Sequence, residues 1–100
     1  MKGYCEMKGF LSFIVLRLIS KGSMSGEDIR KELKKRRGTR PSPGTIYPVL
    51  KSLSEACFIR ASSEGKEKMY GLTGKGRKEL KKATEKFCRL FYDMKGEFGR

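Results

Sequence analysis

Residues 41–53 set the hardest constraint on this chain. All three prolines, Pro41, Pro43 and Pro48, fall there, yet Ile46, Val49, Leu50 and Leu53 recur at helical steps through the same stretch. Proline inside a helix removes a backbone donor and crowds the preceding turn. A helix over residues 43–56 is still allowed if the prolines sit at its start. Pro43 falls at or just before the first helical residue, where a missing donor costs nothing. Pro48 forfeits only the bond to the Gly44 carbonyl. With Ile46 at zero and about 100° per residue, Leu50 and Leu53 lie within about 40° of it and Val49 within about 60°. Gly44, Thr45, Tyr47, Pro48 and Lys51 then form the outward face of the first two turns. Gly44 lets backbone approach a flat or charged surface closely. The amides of Gly44, Thr45 and Ile46, at the positive end of the helix dipole, are expected to be free for a phosphate. The plainer alternative is a rigid loop-to-helix corner needed only for folding.

The neighbouring segments have their own punctuation. Residues 9–20 read as a first helix, with Phe10, Phe13, Ile14, Leu16, Leu18 and Ile19 around most of its circumference, so it belongs in the centre of a small core. Lys21-Gly22 stops it. Ser25 caps a second helix with Asp28 reaching back, Ile29 and Leu33 facing inward, and Lys34, Lys35, Arg36 and Arg37 at its end. Cations suit the negative end of a helix dipole, but four in a row exceed that need. Residues 58–62 and 68–72 read as short strands around a polar tip at 63–67. Thr73 caps a last helix running toward Phe98.

Helix, helix, helix, hairpin, helix predicts a mainly α fold with a small β hairpin: a winged helix-turn-helix over residues 1–73 plus a C-terminal dimerisation helix over 74–100. In that fold the third helix enters the DNA major groove. A four-helix bundle with a decorative hairpin is the competitor. It leaves unexplained why charge gathers on the second helix, the start of the third and the hairpin.

The 100 residues carry 24 Lys+Arg against 11 Asp+Glu, a net charge of +13. Residues 21–40 and 60–82 each hold eight basic and three acidic residues. Two basic zones threaded through structured elements point to a polyanion partner, nucleic acid before membrane. The apolar run 10–19 is broken by Ser12 and Arg17 and is short of the roughly 20 residues of a span. No signal-peptide cleavage pattern follows it, so a cytoplasmic location is expected. There is no histidine and no CxxC pair, and the three cysteines Cys5, Cys57 and Cys88 lie far apart. That leaves no foothold for a structural zinc site or a Ser or Cys nucleophile with its usual base, so neither catalysis nor a cofactor is expected. The cysteines read as reduced, small apolar residues, with Cys5 the candidate for a redox switch.

The stretch PSPGTIYPVLKSL resembles the signature of PadR-type transcriptional regulators, whose recognition helix starts with a Gly-Thr-Ile-Tyr-Pro core. Gly9 to Phe13 with Leu16, Met24-Ser25-Gly26, and Tyr70 to Thr73 with Gly76-Arg77 and Leu80 are similar to the same family over about residues 8–82. Glu27 stands where the family usually has an aromatic, and Cys57-Phe58-Ile59 where it usually has Gly-Leu-Ile. The resemblance implies a homodimeric winged-helix regulator, usually a repressor, that dimerises through its C-terminal helix.

Leu80, Phe87 and Met94 are spaced by seven, with Ala83, Leu90 and Phe91 beside them and Phe98 beyond. A stripe that size predicts a partner, most simply the same helix of a second copy about a two-fold axis. The expected function is therefore sequence-specific binding of double-stranded DNA at a pseudo-palindromic operator. Phosphates would be met by Lys34, Lys35, Arg36, Arg37, Arg40, Lys66 and Lys68. Ser42, Gly44, Thr45, Tyr47, Pro48 and Lys51 form the helix front, with Thr45, Tyr47 and Lys51 reading bases. With no separate effector domain expected, any small-molecule effector would bind at the dimer seam. A basic module docking an acidic protein is the alternative. RNA is weaker, because the aromatics keep core periodicity instead of forming a stacking platform.

Overall fold

A computed structural model of the chain describes residues 6–38, 40–94 and 96, with backbone alone at residues 6–8, 37, 64 and 93. Its elements run α1 (Glu6–Ser20), β1 (Met24–Ser25), α2 (Gly26–Arg37), α3 (Pro43–Glu55), β2 (Ile59–Glu64), β3 (Glu67–Leu72) and α4 (Gly74–Phe91), closed by a 3₁₀ turn at Tyr92–Met94. The predicted helix order holds. α4 tightens at Tyr92, and its expected run to Phe98 lies outside the described residues.

Local chemistry fixes the helix ends. Asp28 N donates to Ser25 Oγ at 3.0 Å, and Ser25 N donates to the Asp28 carboxylate at 3.1 Å, a reciprocal box that satisfies two otherwise orphaned donors. Thr73 Oγ1 accepts from Gly76 N at 2.9 Å and donates to the Cys57 carbonyl at 2.6 Å, so the cap of α4 also ties it to the end of α3. α3 ends on Cys57 at φ 66°, the single left-handed non-glycine among the described residues. Phe58 N donates to Leu53 O at 3.0 Å and Cys57 N to Ser54 O at 2.9 Å, the paired bonds of a glycine-type helix stop. The stop forms although its glycine is absent.

The sheet has three strands in the order β1-β3-β2. The wing is longer than predicted. Pairing continues through Ser63↔Lys68 and Glu64↔Glu67, leaving a two-residue turn at Gly65-Lys66. Gly65 at φ 78° supplies the positive φ such a turn requires. Polar composition alone had suggested a loop there, but an outward hairpin needs no apolar alternation. β1 pairs Met24 with Tyr70 and Ser25 with Met69, and was not foreseen; two residues carry no periodic pattern.

Val15, Leu16, Leu18, Ile19, Ile29, Leu33, Ile46, Val49, Leu50, Leu53, Ile59 and Tyr70 form the core. The predicted inward faces of α2 and α3 are all present in it. α1 is central only in its second half, because Phe10 is 48% exposed and Phe13 half-buried at the end that α4 crosses. Cys57 and Cys88, expected as reduced, small apolar residues, are free thiols, and the ends of α3 and α4 place both at the surface. Cys5 lies outside the described residues. No cluster that would hold a metal ion occurs among the described residues, and no described helix is long and apolar enough to cross a membrane.

Candidate nucleic-acid interface

The outward face of α3 stands as its periodicity requires. Ser42, Gly44, Thr45, Tyr47, Pro48 and Lys51 are exposed while Ile46, Val49, Leu50 and Leu53 are buried, and Pro48 sits within an unbroken helix. One expectation is corrected. Thr45 N and Ile46 N both donate to the Ser42 carbonyl, at 3.0 and 3.1 Å, so those amides are not free. Because α3 starts at Pro43, the Ser42 carbonyl is already the acceptor of the first turn. The Ser42 and Thr45 hydroxyls are bonded to each other at 3.2 Å. Two small hydroxyls and the Gly44 backbone therefore make up the tip.

Tyr47 is held in place. It is 44% exposed, and one edge lies against the first residue of α2. A Cβ at Gly26 would stand 2.5–2.7 Å from the Tyr47 hydroxyl and ring, so only glycine allows this approach. Ser25, Gly26, Glu27, Tyr47, Glu67, Lys68 and Tyr70 line an open cleft between α2, α3 and the wing. α3 and the wing thus meet at Tyr47.

The cations divide into two groups. Lys34, Lys51, Lys66 and Lys68 are exposed and have no acidic partner among the described residues. Lys35 and Arg36 share Glu32 at 3.7 and 3.9 Å, and Arg40 is 3.2 Å from Glu27. The Arg37 side chain lies outside the described residues. Sequence reasoning missed the role of Glu27. Its other oxygen is 2.6 Å from Arg30 Nη1, and Arg30 Nε donates to the Pro41 carbonyl at 2.7 Å. This hub ties the loop before α3 to the first turn of α2. An acid in a first helical turn is ordinary, so no pattern along the chain signals that it gathers two arginines.

The C-terminal stripe is split. Leu80 packs on its own core, and Ala83 and Phe87 are half-buried. Phe87 stacks on Phe13 with ring centroids 4.4 Å apart, meets Phe10 edge-on at 5.8 Å and stacks on Phe91 at 5.6 Å. Leu90, Phe91, Met94 and Phe10 remain exposed, at 62%, 38%, 36% and 48%. Phe98 lies outside the described residues.

A family model described as the transcriptional regulator PadR-like family matches residues 15–82, more than half the chain. The chain belongs to the PadR-like family of transcriptional regulators. Members of this family are regulators, not enzymes. The chain is similar to the negative transcriptional regulator PadR of Bacillus subtilis, 39% identical over 77 residues, which cover 70% of this chain and 42% of the relative. It therefore spans less than half the length of that curated relative. Among solved structures, a PadR-like regulator from Bacillus cereus superposes with a TM-score of 0.82 at 25% identity, covering 90% of this chain and 92% of the other. A PadR-like transcription factor from Bacteroides fragilis gives 0.80 at 27% identity, over 90% and 91%. A winged-helix DNA-binding protein from STIV gives 0.72 at 26% identity, over 88% and 95%. These likenesses fit the mainly helical, winged architecture of this PadR-like chain.

Proposed function

We propose that the protein binds duplex DNA sequence-specifically as a homodimer at a pseudo-palindromic operator and acts there as a repressor. The observation that carries this reading is the front of α3. Tyr47 and Lys51 project from a helix tip with no bulky side chain, Lys68 lines the cleft beside Tyr47, and Lys34 and Lys66 are exposed with no acidic partner among the described residues. Base edges would be read by Thr45, Tyr47 and Lys51, while the lysines meet phosphates without reading sequence. Repression is supported by the named function of the Bacillus subtilis relative. The exposed patch of Phe10, Leu90, Phe91 and Met94 supports pairing of two copies, which would set two reading helices about one DNA turn apart. A small-molecule effector would sit at that seam.

Selection of bound duplexes from a random pool is the direct test. A two-fold-related consensus is expected, and Tyr47→Ala or Lys51→Ala should lower affinity for it by about 10-fold or more, as loss of a good base contact does. Binding to unrelated DNA should change far less. Recovery of no consensus would refute sequence-specific binding. Retained wild-type specificity in both variants would show that another surface reads the bases.

A further inference from the structure

The most basic element of the chain is not on the α3 face. α4 carries seven Lys and Arg against Glu79 and Glu85. At about 100° per residue, Lys78, Lys82, Lys86 and Arg89 fall within an arc of about 80°, on the side turned away from the inward-packing Leu80 and Phe87. All four are exposed, and no ion pair forms along α4 among the described residues. Lys78–Lys82 and Lys82–Lys86 are like charges four apart, which repel along a helix. Lys75 falls in the same arc one turn earlier, with its Nζ 5.5 Å from the centre of the Phe58 ring.

The row is remote from the reading helix. Thr73 N donates to the Phe58 carbonyl at 3.1 Å, so α4 starts beside the C-terminal end of α3. α1 contacts both helices: its Phe13 meets Phe87 of α4, and its Gly9 and Ser12 border Gly44 and Thr45 of α3. The outer face of α4 is therefore on the far side of α1 from the helix front. Duplex DNA is stiff over about 150 base pairs, so one straight segment on α3 and the wing does not also reach this row.

The chemistry of the face selects its partner. Between Lys78 and Arg89 it has no aromatic or aliphatic side chain, whereas protein interfaces deplete lysine and depend on aromatic anchors. A membrane surface would need the apolar face of α4 for insertion; Leu80 and Phe87 of that face are packed inward, and its exposed end, Leu90, Phe91 and Met94, is the patch assigned to a second copy. A phosphate backbone needs only the cations. We propose that the outer face of α4 is a second, sequence-independent DNA-backbone site that holds a separate duplex. The first duplex in this picture rests on the DNA-binding reading of α3; the second does not.

The test immobilises the selected operator on beads, loads the protein and offers a labelled duplex of unrelated sequence. Wild-type protein should capture the labelled duplex at 50 mM salt. With four phosphates neutralised, that affinity should fall about 150-fold by 200 mM. The triple variants Lys78→Glu/Lys82→Glu/Lys86→Glu and Lys78→Gln/Lys82→Gln/Lys86→Gln should keep operator binding and helical circular dichroism but lose capture. Undiminished capture by both variants, or none by wild type, overturns the proposal. If the operator itself is not bound, direct titration of the labelled duplex decides. Salt-sensitive binding lost in the triple variants then upholds the α4 site while the α3 reading falls, and wild-type binding in them overturns the α4 site.

Discussion

Glu27→Gln would expose the cost of keeping an acid at the corner proposed to face DNA. Glu27 and Arg40 are 38% and 39% exposed and 3.2 Å apart. An ion pair this accessible to water is worth at most about 1 kcal/mol. Glutamine still offers Arg30 an oxygen, so the melting temperature should move by only a few degrees. The effect on DNA should be larger. Arg40 is released for a phosphate, and one negative charge leaves the face. One added phosphate contact steepens the dependence of log affinity on log salt by about 0.9, so raising salt from 50 to 200 mM should cost the variant about 3.5-fold more affinity than wild type. At the lower salt, freeing a pair worth up to about 1 kcal/mol should raise affinity up to about fivefold for every duplex, cognate or not. Fluorescence anisotropy at four salt concentrations measures both quantities. In an Arg40→Gln background the added slope should vanish. An unchanged slope in Glu27→Gln, or a steeper one that survives loss of Arg40, would refute the reasoning.

Cys57→Gly should stabilise the fold. A left-handed non-glycine costs roughly 1 kcal/mol, and Cys57 sits at φ 66°, so thermal unfolding should shift up by about 4–8 °C. Gly26→Ala should displace the Tyr47 ring that a Cβ would meet at 2.5–2.7 Å. Affinity for the selected operator should then fall toward that of Tyr47→Ala with little change in non-specific binding; retention of wild-type specificity would show that Tyr47 need not lie there. Leu90→Ser with Phe91→Ser should convert a dimer to monomer in light scattering at micromolar concentration without lowering helix content. A mass unchanged from wild type would place the interface elsewhere.

What could be read from the sequence was whatever is local or periodic. The Ser25–Asp28 box and the Thr73 cap each act across three residues, and both stand as spaced. The two faces of α3 follow from its 3.6-residue period, and so all six residues of the predicted helix front are exposed. The failures involve partners distant in sequence or matched through backbone. Glu27 meets Arg40 thirteen residues away, and β1 finds Tyr70 and Met69 through hydrogen bonds that no side-chain pattern announces. The expectation of free Thr45 and Ile46 amides misses the Ser42 carbonyl, because spacing marks where a helix starts but not which carbonyl serves its first turn. Phe10 and Phe13 looked central because their helix is apolar all round, although one end outruns the core.

The two-residue strand β1 has a mechanical consequence. Ser25 is at once its last residue, the cap of α2 and a buried side chain, and it is registered with Met69 in the wing. The hairpin therefore cannot swing without dragging the start of α2, and Gly26 carries that motion to Tyr47. For a duplex partner, the gap between the wing tip and the helix front is a caliper of fixed opening. Such a caliper measures groove width as well as base identity, and penalises sequences whose grooves must be forced to its span.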